Sequence, residues 1–183
     1  MKNKVLKELL DTAIYLLCVL VFTWLLITFV VQRTEVDGTS MMPTLAHKDN
    51  LFVDKLSYRF HDPERFDIIV FPYKYKEDTY YIKRIIGMPG ETVQIDEAGN
   101  IYIDGNILTT DVYGMEKMKP ETIGRASQPI TLGEDEYFVL GDNRNNSSDS
   151  RNGMVGNIHR SDIIGRAWIR IWPLDSFGIL KHQ

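Results

Sequence analysis

The longest feature in the hydropathy pattern is an apolar run from Ala13 to Val31, uncharged throughout and interrupted only by Tyr15, Thr23 and Thr28. A helix of these 19 residues, rising ~1.5 Å per residue, is long enough for ~30 Å of hydrocarbon. Every face of it is apolar, which argues against a core helix with one wet side. A removable signal peptide would carry a shorter apolar region followed by small residues, whereas Thr28-Phe29-Val30-Val31-Gln32-Arg33 is bulky. The pattern therefore predicts an uncleaved transmembrane anchor over 12–32, a short N-terminus over 1–11 and one domain over 33–183.

Beyond Arg33 the pattern changes to short β-like runs. Leu51-Phe52-Val53 and Asp67-Ile68-Ile69-Val70-Phe71 are apolar stretches between turn-formers, their lengths limited by Pro63 and Pro72. Thr79-Tyr80-Tyr81-Ile82 is β-branched and aromatic. Thr92–Asp96 alternates, breaks at Ala98-Gly99-Asn100 and resumes at Ile101-Tyr102-Ile103, and a second turn follows at Asp104-Gly105-Asn106; this is the clearest hairpin signal in the chain. Residues 109–129 are polar and rich in glycine and proline, which predicts an exposed excursion. Glu136–Leu140 predicts a strand that runs into Gly141, and the alternation around Trp168, Arg170 and Trp172 predicts a last one. The fold class expected is mostly β, an N-terminal helix followed by antiparallel sheets.

Composition narrows the function classes. The chain of 183 residues carries net −4; four cations against two anions up to Arg33 leave −6 on the remainder. An acidic domain lacks the basic face that nucleic acid requires. About 150 residues after the apolar run suffice for one well-buried domain. Cys18 is the only cysteine, so the domain can have no internal disulfide and must rely on its core. Three lysines precede the run, which places residues 1–11 in the cytoplasm and the bulk outside.

Candidate chemistry lies in three separated stretches. Ser40-Met41-Met42-Pro43-Thr44 follows the apolar run closely and offers a hydroxyl. A serine becomes a nucleophile only when a neighbour removes its proton. His47, His61, His159 and His182 have no companion motif and no metal-ligand spacing, and read as surface residues. Lys83 is the more interesting base: in a strand it shares a face with Tyr81 and Ile85, and apolar surroundings favour its neutral amine. The alternative is a solvated basic pair, Lys83-Arg84, at a strand end. The third stretch, Gly141-Asp142-Asn143-Arg144-Asn145-Asn146-Ser147-Ser148-Asp149-Ser150-Arg151, reads as a loop made rigid by Asp–Arg pairs, or else as a polar linker.

Taken together and in this order, Ser40–Leu45, Asp67–Phe71, Tyr81–Arg84 with Gly87–Glu91, and Gly141–Arg144 resemble the boxes of bacterial type I signal peptidases, nearest the small single-anchor Gram-positive form. The resemblance implies a mostly β domain on the outer face of the cell membrane, acting on secretory preproteins beside the export translocon and against lipid, without cofactor or metal. It implies Ser40 as nucleophile, Lys83 as general base and Ser147 as the hydroxyl that orients Lys83. The oxyanion donor would be the Ser40 backbone N–H. Gly38 occupies the place where Gram-negative relatives carry a second, side-chain donor, so that role is open here. Arg84, Asp142, Arg144, Asp149 and Arg151 would brace the site. Val36, Met41, Leu45, Val70, Tyr81 and Ile82 would wall shallow pockets that admit small residues at −1 and −3, with substrate added as an extended strand.

Two other classes share parts of this pattern. Self-cleaving repressors use the same Ser–Lys chemistry, and Ala98-Gly99 offers such a bond, but they carry no membrane anchor. A non-enzymatic accessory subunit would keep the boxes for folding alone and predicts an altered Ser40 or Lys83; both are intact.

Overall fold

A computed structural model describes residues 2–180, without the side chains of residues 2, 3 and 26–29. His182 therefore lies outside the described residues. Helix α1 spans Lys2–Phe29 and is followed by twelve described strands: β1 Val31–Glu35, β2 Asn50–Asp54, β3 Ile68–Pro72, β4 Tyr80–Gly87, β5 Thr92–Ile95, β6 Ile101–Ile103, β7 Asn106–Ile107, β8 Ile130–Thr131, β9 Glu136–Leu140, β10 Ile158–His159, β11 Gly165–Trp172 and β12 Gly178–Ile179. The expected mostly β character holds, and the pairings among the described strands are antiparallel.

Among the described residues no helix is long and apolar enough to cross a membrane. The anchor expected over 12–32 is divided differently by the structure. Helix α1 ends at Phe29, and Val31 and Gln32 already pair with Asp54 and Val53 in a ladder. The reason is local: a β-branched residue beside polar ones can satisfy its backbone against β2 as readily as in a helix. From Lys4 to Leu25 the side chains of α1 are exposed, so this part of the helix adds nothing to the core.

The strands form two sheets. The larger runs β1-β2-β11-β3-β4-β9-β10, with β12 on β11, and the smaller runs β7-β6-β5-β8. Alternation along β4 distributes its side chains: Ile82 enters a cluster with Val36, Met41, Leu45 and Val70, whereas Ile85 joins Ile69, Phe71 and Val139. A third cluster closes the two sheets on each other, Ile86, Phe138 and Leu140 meeting Val93, Ile95 and Ile101. Burying each such aliphatic or aromatic side chain contributes about 1.5–3 kcal/mol.

The segment over 109–129 departs from expectation. Met118, Ile123 and Ala126 are buried in the inter-sheet cluster, and one-turn helices cover Pro120–Thr122 and Gly124–Ser127. The segment is a lid on the core and not a free excursion. Three apolar residues at irregular spacing show no period of 2 or 3.6, so the pattern could not reveal the burial.

Candidate active site

Strand β4 lies between β3 and β9; β3 pairs with it over Tyr80–Arg84 and sets the backbone of Lys83 opposite Ile69, whereas β9 pairs with it only from Arg84 onward. The residue is 4% exposed. Its Nζ donates to the Ser40 Oγ at 2.8 Å and to the Ile82 carbonyl at 2.9 Å, and sits 5.0 Å from the Tyr81 ring centroid. Burial lowers the lysine pKa to about 8, against the pull of Asp149 and Asp142, which favour the charged form. A neutral amine at mildly alkaline pH, in contact with a serine hydroxyl, is a base next to its proton donor.

Ser40 opens a tight turn closed by the Leu45 N–H on the Met41 carbonyl at 2.9 Å. Met41 and Leu45 point into the core and pin the turn from beneath. The 141–151 loop holds it from the side. The Asn143 N–H donates to the Ser40 carbonyl at 3.0 Å, its Nδ2 donates to the Thr39 carbonyl at 3.1 Å, and the Asn146 Nδ2 donates to the Thr39 hydroxyl at 3.1 Å. Gly141 is required where the two segments cross, because a Cβ there would collide with the Ser40 carbonyl oxygen and the Ser147 hydroxyl.

The loop is itself braced by charge, mostly with partners outside it. Arg84 donates through Nε and Nη2 to the Asp142 carboxylate at 2.8 and 2.7 Å, both side chains fully buried, and its guanidinium stacks 3.6 Å from the Tyr113 ring centroid. The Thr44 hydroxyl also donates to Asp142. Arg144 makes a forked pair with Asp111, and Arg151 one with Asp149, whose Oδ2 also accepts the Gly141 N–H at 3.0 Å. Paired and hydrogen-bonded on every side, these charges tolerate burial.

A cleft of about 620 Å³ runs past this centre, walled by residues 34–41 on one side and 76–83 on the other. Against that geometry the sequence relatives are consistent. The family model described as signal peptidase, peptidase S26, matches residues 8–172. The chain belongs to this signal peptidase family. It is thus a serine peptidase, a hydrolase. It is 39% identical over 161 residues to a probable signal peptidase I-2 from Synechocystis, covering 85% of this chain and 70% of the relative. It is 34% identical over 172 residues to signal peptidase I P of Bacillus subtilis subsp. natto, covering 92% and 91%. A crystal structure of a signal peptidase I from Enterococcus faecalis is 35% identical, covers 58% of this chain and 97% of that one, and superposes with a TM-score of 0.47.

Within that family frame, the positions expected from sequence fall into three groups. Ser40, Lys83, Arg84, Asp142, Arg144, Asp149 and Arg151 come together as one connected centre. Val36, Met41, Tyr81 and Ile82 line the cleft, whereas Leu45 and Val70, 0% and 1% exposed, lie in the cluster beneath it. Those two support the floor and do not form the wall. The third group requires correction. The hydrogen bond expected between Ser147 and Lys83 is not made: the Ser147 hydroxyl is buried without a partner, because the lysine amine is turned to Ser40 and Ile82. Neither neighbour replaces it, since the Ser150 hydroxyl accepts the Val139 N–H and Ser148 is exposed on the cleft. Nor is the Gly38 N–H open to an oxyanion, for it donates to the His47 Nδ1 at 3.1 Å.

Sequence reasoning did not single out Asn143, Asn146, Thr44, Asp111 or Tyr113. Asn143 and Asn146 grip a segment more than 100 positions away, and no local pattern encodes such a contact.

Proposed function

We propose that the protein is a membrane-bound serine endopeptidase that removes N-terminal signal peptides from exported preproteins through a Ser40–Lys83 acyl-enzyme. The observation that carries this reading is the 2.8 Å contact between the Lys83 Nζ and the Ser40 Oγ at a buried site. Lys83, deprotonated, takes the Ser40 proton as Oγ adds to the carbonyl carbon of the −1 residue. The negative charge that develops on the carbonyl oxygen falls within reach of the Ser40 backbone N–H, which makes no hydrogen bond among the described residues. One such donor lowers the barrier by ~2.7–4 kcal/mol. The lysine then gives the proton to the departing amine, and Ser40 holds the signal peptide as an ester. Water, deprotonated by the same amine, hydrolyses the ester and regenerates the hydroxyl.

The cleft suits an extended chain added between the edges at Val36 and Ile82. Branched and aromatic walls leave room for alanine-sized side chains at −1 and −3 and exclude large ones. Membrane attachment is supported by the uncharged run Ala13–Val31, by the lysines before it, and by the exposure of α1 from Lys4 to Leu25. On this reading lipid covers the helix, the N-terminus is cytoplasmic, and preproteins arrive from the adjacent translocon. The test is incubation of the detergent-solubilised protein with a preprotein, followed by sequencing of the new N-terminus. Cleavage after Ala-x-Ala is expected. Cleavage elsewhere, or undiminished cleavage by Ser40→Ala, overturns the proposal.

A further inference from the structure

The turn that carries the nucleophile is held from two sides, and the holds differ in kind. On one side are the amides of Asn143 and Asn146, which bond Thr39 and Ser40 and do not titrate. On the other side is His47, whose Nδ1 accepts the Gly38 N–H at 3.1 Å. This bond requires an unprotonated Nδ1. The same nitrogen lies 3.4 Å from an Asp37 carboxylate oxygen, so a proton on Nδ1 points it to Asp37 and sets it against the Gly38 N–H. The two arrangements exclude each other.

The post on which His47 stands is rigid. The Asp49 carboxylate accepts the Ala46 N–H at 3.0 Å and the Arg170 Nη1 at 2.8 Å. The turn is tied to the nucleophile segment by the Val36 N–H on the Asp49 carbonyl and the Lys48 N–H on the Val36 carbonyl, both 2.8 Å. Gly38 takes φ +103°, and a Cβ built there would meet nothing within 4 Å, so no neighbouring side chain packs against it. Glu35 and Lys48, bonded to each other at 2.7 Å, are the other charged groups beside the ring, with Arg33 near Glu35.

We infer that His47 is a positioning residue for the nucleophile: neutral, it anchors Gly38 and with it the 38–40 turn; protonated, it releases Gly38 to pair with Asp37, and the aim of Ser40 is lost. The inference rests on the Ser40–Lys83 reading and adds a second proton to the acid side of the reaction. Lys83 alone makes log(kcat/KM) fall with a slope of 1 below its pKa. Release of Gly38 adds a second limb.

The test is the pH profile of kcat/KM from pH 5 to 9 for the full chain in detergent, cleaving a peptide with alanine at −1 and −3. For the unmodified protein the slope is expected to steepen from 1 towards 2 within the acid part of that range. His47→Leu removes the acceptor at every pH and should lower kcat, with KM little changed, by about 2- to 10-fold at pH 8, the rate equivalent of one hydrogen bond. His47→Asn supplies a non-titrating acceptor near the same place. It should restore most of that loss and keep a slope of 1 down to pH 5. Asp37→Asn removes the partner of the protonated ring and should move the second limb to lower pH. Melting curves at pH 5 and 8 confirm that each variant is folded. Superimposable profiles for the unmodified protein and His47→Asn overturn the inference, as does a single slope of 1 throughout. Cleavage that persists in Ser40→Ala would instead overturn the dyad, and this inference with it.

Discussion

At the scale of single residues, Lys83 joins two opposing demands. It must be charged at neutral pH in water, and its place in β4 removes the water. Its folded pKa, about 8, lies below the 10.5 of the free side chain, so cleavage should rise with pH until about 8 is passed and then level. The stability sign follows. The burial penalty on the ammonium is fully present below about pH 8 and disappears as pH rises towards 10.5. Lys83→Met should therefore abolish cleavage and raise neutral-pH stability, by on the order of 1–3 kcal/mol, measured by urea unfolding at pH 7 and pH 10. Lys83→Arg should be inactive at all pH values because the guanidinium stays protonated. Ser147 gives the complementary case. Its buried hydroxyl lacks a partner, and an unsatisfied group of this kind costs about 1–3 kcal/mol. If it engages the lysine amine only as the proton moves, Ser147→Ala should lose at least about 10-fold in kcat, a fraction of the ~10²–10⁴-fold that positioned proton transfer supplies, while melting no earlier than the parent. Unchanged kcat with a raised melting temperature would assign Ser147 to packing alone.

At the scale of elements, the site is an assembly of one central strand, one turn and one loop. Strand β4 contributes Lys83, the proposed base, and, at the next position, the arginine that anchors the loop, so one backbone sets both. Asp142 is the joint: it receives Arg84 from β4 and Thr44 from the turn that carries Ser40. Asp142→Ala should cost about 3–5 kcal/mol, because the Arg84 charge is then buried alone. Denaturant titration reads this directly, and an effect below about 1 kcal/mol would show that water reaches the vacated site. Asn146→Ala deletes one bond to Thr39 at an exposed position. It should reduce kcat about 2- to 10-fold with little effect on unfolding.

At the scale of the whole molecule, α1 and the sheets are separable by construction. Side chains of α1 from Lys4 to Leu25 cover no core residue, so removal of residues 1–29 should leave the domain melting within a few degrees of the full chain. Trp172, Leu174, Phe177 and Ile179 remain in solvent on the β11–β12 side, and the truncated protein should accordingly need mild detergent. On the proposed membrane-bound reading it should cut peptides but process membrane-inserted preproteins more slowly, because co-concentration of enzyme and substrate in one bilayer would be lost. In intact cells, added protease should reach residues 33–183 and spare the N-terminus. A cytoplasmic domain would overturn the proposed topology and the function with it.

What the sequence alone determined is whatever has a short period or a short motif. The apolar run, the hairpin at 92–107, the strands around Ile69, Val139 and Ile169, and the Ser40, Lys83 and Gly141 stretches could all be read from neighbours within a few positions. The bracing of the loop was legible in kind but not in partner: Asp and Arg alternate along it, yet Asp142 pairs with Arg84 and Arg144 with Asp111. Tertiary structure alone decided those pairings, the burial of Met118, Ile123 and Ala126, the idle hydroxyl of Ser147 and the capture of the Gly38 N–H by His47. The reason is common to all of them. Secondary structure follows local backbone and side-chain preferences, whereas a buried charge or hydrogen-bonding group takes whichever partner packing brings within 3 Å or so, and sequence distance does not enter that choice.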